Sequence, residues 1–95
     1  MKVYISAPIT GFPENVVNRV FSDAENDLAK KGYDSINPLK INESNSSYGE
    51  CMGKDIQELI DNADAVYFCR GWQKSLGCML EFHAANIYNK IIMFE

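Results

Sequence analysis

Apolar residues recur along this chain in two alternating rhythms. Val3-Tyr4-Ile5-Ser6 is a short β-rich run halted by Pro8 and Gly11, which predicts a buried first strand followed by a loop. Beyond Pro13, which suits the first turn of a helix, Val16, Val17, Val20, Phe21, Ala24, Leu28 and Ala29 return at three- and four-residue intervals up to Gly32. That stretch predicts an amphipathic helix with a glycine stop. Tyr33-Asp34-Ser35-Ile36 predicts a second strand, broken by Asn37-Pro38, and the Asn- and Ser-rich stretch from Ile41 to Gly49 reads as a loop. Met52, Ile56, Leu59 and Ile60 share one face of a second helix running from about Glu50 to Asn62. Asp64 opens a third strand, Ala65-Val66-Tyr67-Phe68. Ser75 to Tyr88 predicts a third helix, and Ile91-Ile92-Met93-Phe94 a last strand.

Strands that alternate with helices imply a parallel sheet with right-handed crossovers. The expected fold class is α/β, a small flavodoxin-like or Rossmann-like parallel sheet flanked by helices. No internal repeat or composition break divides residues 1–95, so one domain is expected. A chain of this length buries only about two-thirds of its unfolded surface. Small α/β chains often add a subunit interface, which leads us to expect a homodimer or higher homo-oligomer.

Composition narrows the function classes. Hydrophobic residues make up 46% of the chain, which argues against disorder. The net charge of −4, with basic residues scattered, gives no electrostatic footprint for a nucleic-acid polymer, although one local site suffices for a free nucleotide. Cys51, Cys69 and Cys78 are odd in number, lack a C-x-x-C pair and have no ligand-spaced histidines, so neither disulfides nor a metal is expected. No cofactor is expected either. Ser6 and Pro8 interrupt the N-terminal apolar run, and no segment reaches membrane-spanning length. The expected location is the cytoplasm.

The densest chemistry lies in Ser75-Leu76-Gly77-Cys78-Met79-Leu80-Glu81. It sets a carboxylate about two helical turns past a Ser-x-Gly helix start, after a strand. Ligands of open parallel sheets bind at the carboxyl ends of strands, and helix N-termini favour anions such as phosphate. Ser75 and Glu81 would lie at most roughly 9 Å apart along the axis, a gap that a pentose 5-phosphate spans. Tyr4, Ser6, Asp55, Ser75 and Glu81 converge if strand ends and helix starts face one cleft. Two carboxylates on separate elements are what glycosidic-bond chemistry requires, one for the sugar cation and one for the leaving-group proton. Each residue also has a plainer reading. Glu81 and Asp55 suit solvated helix faces, Tyr4 suits the core, Ser75 a helix cap and Gly77 close helix packing. Trp72 suits a base stack or a subunit interface equally. His83 lies on a different helix face from Glu81 and reads as structural, Asp64 as a turn residue and Cys78 as a small buried residue.

These residues resemble, in order and spacing, the nucleoside 2-deoxyribosyltransferase superfamily. The resemblance rests on Tyr4-Ile5-Ser6, Asp55-Ile56, Asp64 and the Ser75–Glu81 run, and it spans nearly the whole chain. The chain looks closest to small phage and bacterial members of unassigned function, which share its opening Tyr-Ile-Ser-x-Pro-Ile-Thr-Gly, its central Asn-Pro and its Gly-Trp-x-x-Ser-x-Gly run. The resemblance implies that Glu81 attacks the anomeric carbon and forms a glycosyl-enzyme intermediate. It implies that Tyr4 orients Glu81 and that Asp55 meets the nucleobase and assists its protonation. Transferases acting on free nucleosides carry Asp at the position of Ser75, whereas the related deoxynucleoside 5'-monophosphate N-glycosidase carries Ser and binds phosphate. The expected substrate-binding positions are Ser6, Gly11, Trp72, Ser75 and Gly77. The segment Pro8-Ile9-Thr10-Gly11 departs from the first loop of the characterised enzymes.

The expected activity is cleavage or transfer of the N-glycosidic bond of a 2'-deoxynucleoside 5'-monophosphate. The alternative is a non-catalytic, phage-related nucleotide-binding or sensing module on the same fold, and a third reading is an interaction protein using the fold as scaffold. The expected partner in the first two is a small-molecule nucleotide or nucleoside, with no nucleic-acid polymer and no membrane. Retention of Tyr4, Asp55 and Glu81 together favours the enzyme, because phosphate binding alone needs none of them.

Overall fold

A computed structural model describes residues 1–42 and 45–95. The elements follow the order β1 (Lys2–Ser6), α1 (Glu14–Lys30), β2 (Asp34–Ile36), α2 (Tyr48–Asn62), β3 (Ala65–Phe68), α3 (Leu76–Ile87) and β4 (Ile91–Phe94), with 3-10 turns at Pro38–Lys40 and Trp72–Lys74. All four strands are parallel, in the spatial order β2-β1-β3-β4. The expected α/β class and flanked parallel sheet are what the structure has.

Strand alternation sorts the side chains into two layers. Val3, Ile5, Ala65 and Tyr67 point to one face, where Val17, Phe21, Ala24 and Leu28 of α1 cover them. Tyr4, Val66 and Phe68 point to the other, against Leu59 of α2 and Ala84 and Ala85 of α3. Ser6 is two residues on from Tyr4 and so shares its direction. The connection through α1 leaves β1 on one face and that through α2 returns on the other. The order therefore reverses between β1 and β3, and a crevice forms beyond their carboxyl ends, where Ser6 pairs with Phe68.

Local chemistry sets the element ends. Gly32 takes a φ of +83°, and the Tyr33 N–H turns back onto the Leu28 carbonyl at 3.0 Å. Tyr33 therefore closes α1 instead of opening β2. Pro13 is the residue just before α1 rather than a member of its first turn. The second helix starts at Tyr48, two residues before the expected start, because Ser47 and Glu50 form a reciprocal capping box, each bond 3.1 Å. Tyr48 and Gly49 are thus helical, while Glu43 and Ser44 of the expected loop lie outside the described residues. Ser75 caps α3 by accepting from the Cys78 N–H at 3.2 Å. Among the described residues no helix is long and apolar enough to cross a membrane.

Candidate active site

The inward side of α3 carries a carboxylate where an ordinary amphipathic helix carries leucine. Glu81 is 5% exposed, and both of its oxygens are held: the Tyr4 hydroxyl donates to Oε2 at 2.6 Å and the Ser6 hydroxyl to Oε1 at 2.7 Å. Both donors come from alternate positions of β1, so the strand's two-residue repeat builds the clamp. Burial pushes the Glu81 carboxyl up to about 7, with the Asp55 charge acting the same way and the Tyr4 and Ser6 bonds opposing it. A group so placed is poorly hydrated and fixed in direction. These are the properties of an activated nucleophile.

Asp55 projects from α2 on the other side of Tyr4 and is also 5% exposed. Burial raises its carboxyl above the ordinary range, against bonds from Asn42 and Tyr4 that favour the charged form. The Asn42 amide donates to Asp55 Oδ1 at 2.8 Å. A phenol has one hydrogen, and the 2.6 Å bond commits it to Glu81. Toward Asp55 the same hydroxyl acts more weakly, favouring the charged carboxyl. Burial and the two neighbouring carboxylates hold the Tyr4 phenol well above its usual value, so it stays a neutral donor.

These groups open onto a cleft of about 560 Å³ at the carboxyl ends of β1 and β3. Its walls include Tyr4, Asp55 and Glu81, the α3 start at Ser75 and Gly77, two cations, Arg70 and Lys74, and the apolar surfaces of Phe12, Tyr48 and Met52. That size and mixture of apolar wall with a few directed polar groups suits a small organic ligand. At Gly77 a Cβ would stand 3.3 Å from both Met52 Sδ and the Tyr48 hydroxyl, so glycine lets α2 and α3 close together there.

Of the expected site residues, Glu81, Asp55, Tyr4, Ser75 and Gly77 line the cleft, and Ser6 sits behind Glu81 as a hydrogen-bond donor. Gly11 lies outside the lining. Its φ of +88° makes the turn that brings Thr10 and Phe12 to the wall. Trp72 also lies outside, stacked on Phe82 at 4.7 Å and Phe94 at 5.7 Å, with Phe68 at 5.2 Å. The aromatic side chains of β3, α3 and β4 provide a flat apolar seat there. His83 is exposed, its ring edge-on to Phe82. Burial raises the Cys78 thiol, consistent with a small structural residue. Sequence reasoning missed Asn42, Arg70 and Lys74. The two cations beside Gly71 and just before a helix start were a visible signal, whereas Asn42 stands in an Asn- and Ser-rich stretch with nothing to single it out. No group of three or more potential metal ligands exists among the described residues.

A family model described as "Domain of unknown function (DUF4406)" matches residues 1–94. The chain belongs to that family. None of the curated proteins matches it. Among solved structures, the 2-deoxyribosyltransferase of the psychrotolerant bacterium Bacillus psychrosaccharolyticus is similar, with a TM-score of 0.73 and 22% sequence identity, covering 99% of this chain and 71% of that one. This member of the DUF4406 family thus shares a deoxyribosyltransferase-like fold, and its cleft lies at the sheet's switch point.

Proposed function

We propose that the protein breaks the N-glycosidic bond of a 2'-deoxynucleoside 5'-monophosphate, with Glu81 as nucleophile. The observation that carries this reading is the doubly held Glu81 carboxylate, buried at the cleft floor beside a second buried carboxyl, Asp55. The deoxyribosyltransferase-like fold supports glycosyl chemistry. A Glu81 oxygen attacks C1' while the bond to the base breaks, and the departing electron pair goes to the base nitrogen. Protonated Asp55 supplies the proton that neutralises the leaving base. The resulting glycosyl ester is then opened at C1' by water, for hydrolysis, or by an N–H nitrogen of a second base, for transfer; the Asp55 carboxylate takes the proton that this acceptor loses, and Glu81 leaves as the carboxylate. Incubating the purified protein with a panel of deoxynucleotides and following the freed base tests the reading. Binding without base release would leave a nucleotide-binding module.

The 5'-phosphate is supported by charge. On a chain of net charge −4, Arg70 and Lys74 line one cleft and make no ion pair among the described residues, beside the capped start of α3. The Ser75 oxygen accepts from Cys78, which leaves its hydrogen for a phosphate oxygen. Ser75→Asp is expected to weaken monophosphate binding at least tenfold, since losing one charge-assisted bond costs about 1.5–3 kcal/mol before repulsion is counted. The same carboxylate accepts from a free 5'-hydroxyl, so preference should pass to the nucleoside. Titrating wild type and variant with a deoxynucleoside and its monophosphate measures both. A wild type without preference for the phosphate would move the assignment to free nucleosides.

The partner of the outer face is a second copy of the chain. Leu76, Leu80, His83 and Ile87 fall on one line along α3, with Leu76 86% and Ile87 71% exposed, and Tyr88 follows at the helix end, 54% exposed. Apart from His83 the outward side of α3 carries no ionisable group. A chain of net charge −4 can meet its own copy there without opposing carboxylates. Leu76 also lies on the cleft rim, so such a contact would narrow the mouth. Light scattering should give a dimer mass for wild type and a monomer mass for Leu80→Glu, with unchanged circular dichroism. A monomeric wild type at high concentration would remove this interface.

A further inference from the structure

One amide reaches Asp55 from the stretch after β2. Asn42 Nδ2 has two hydrogens and meets two acceptors, the Pro38 carbonyl at 3.0 Å and Asp55 Oδ1 at 2.8 Å. The Pro38 carbonyl also accepts from the Ile41 N–H at 3.3 Å and offers Asn42 only lone pairs. A flipped amide would set an oxygen against that carbonyl, so the backbone fixes which end of Asn42 faces Asp55 whatever the protonation of Asp55. The opposite atom, Oδ1, is buried without a partner among the described residues. A buried polar atom left unpaired is a penalty that the other orientation would worsen.

We propose that Asn42 is the positioning residue of Asp55: its amide holds Oδ1 as a hydrogen-bond acceptor, which leaves Oδ2 as the atom that carries the proton to the leaving base. The proposal rests on the N-glycosidic reading and names the residue that aims its acid. Asn42 touches no reacting atom in this scheme. Its donation also opposes the effect of burial on Asp55, whose other polar neighbours are Tyr4 from β1 and Glu81 from α3. Removing the amide therefore favours the protonated carboxyl, and a carboxylate at this position favours it further.

The test follows the Asp55 carboxyl by carbon NMR in the ligand-free protein, across pH, in wild type, Asn42→Ala and Asn42→Asp. The midpoint is expected to move up in Asn42→Ala and further up in Asn42→Asp, while kcat for base release falls about tenfold with little change in KM. A purely structural asparagine would lower the melting temperature and leave the Asp55 midpoint where it was. That outcome, or an unchanged kcat despite a moved midpoint, overturns the proposal. Asn42→Asp is nearly isosteric and carries the test alone if the alanine variant does not fold. Midpoints that move as expected in a protein that never releases base would instead defeat the N-glycosidic reading and leave the Asn42–Asp55 contact standing.

Discussion

Glu81→Gln is expected to lose base release almost completely while nucleotide binding persists. The amide keeps the shape of the carboxyl and can still accept from Tyr4, but it has no charge with which to attack C1'. Loss of a nucleophile in a preorganised site costs about a thousandfold or more in turnover. The phosphate contacts at Arg70, Lys74 and Ser75 lie on separate residues, so affinity for the monophosphate should change little. Stability should move in the opposite direction. Burial raises the folded-state Glu81 value from 4.5 to about 7, so between those limits the folded chain binds protons that the unfolded chain has released. The contribution of this group is therefore fully present below about pH 4.5 and is lost as pH rises through 7. At pH 8 the wild type carries a penalty of roughly 3 kcal/mol from its buried charge, at about 1.4 kcal/mol per unit. Glu81→Gln removes that penalty, so the variant should be the more stable protein at pH 8, with the difference fading below pH 5. Chemical denaturation at the two pH values reads this directly. A variant with turnover within threefold of wild type would end the nucleophile assignment.

The contrast between α1 and α3 shows how far the sequence can be read. Val17, Phe21, Ala24 and Leu28 of α1 recur on one side among Asn, Asp, Glu and Lys, so the residue order marks the buried side of that helix, although Val16 and Ala29 of the same series are exposed. The third helix offers no such contrast. It is apolar nearly all round, and the structure turns its only carboxylate inward and leaves Leu76, Leu80 and Ile87 outward. Periodicity expects the reverse, because hydrophobic transfer alone would bury the leucines. What opposes it is a pair of hydroxyls, Tyr4 and Ser6, that come from a strand about 75 residues earlier in the chain. A hydrogen bond of that sequence separation has no local signature. Spacing alone favoured a solvated Glu81, and the resemblance to deoxyribosyltransferases implied instead that Tyr4 orients it. Trp72 shows the complementary case. An aromatic residue near a helix start suits a base stack or a subunit interface equally, and the structure seats it on Phe82 and Phe94, outside the cleft lining. The position missed on the acid side, Asn42, acts through its amide in an irregular stretch, where no period exists to read.

Asp55→Asn is expected to lower turnover by about 10²–10⁴-fold on nucleotides whose base must be protonated to leave. The amide oxygen can accept from Asn42 as Oδ1 does now, so the contact that aims the side chain survives and the fold should be retained. What disappears is the transferable proton. Two further consequences separate this role from a mere loss of charge. First, the Asp55 charge is one of the influences that raise Glu81, so removing it should shift the ascending limb of kcat/KM toward lower pH. The descending limb, which reports ionisation of the acid, should vanish, because in wild type the two limbs belong to the coupled pair. Second, the size of the defect should depend on the leaving group. A 2-deoxyribosyl 5-phosphate bearing a nitrophenolate, which departs without a proton, needs no acid. With it the variant should approach wild-type rates for formation of the glycosyl ester, followed as a burst of nitrophenolate. An equal defect on both classes of substrate, with an unaltered pH profile, would reduce Asp55 to a buried carboxylate that helps to shape the cleft.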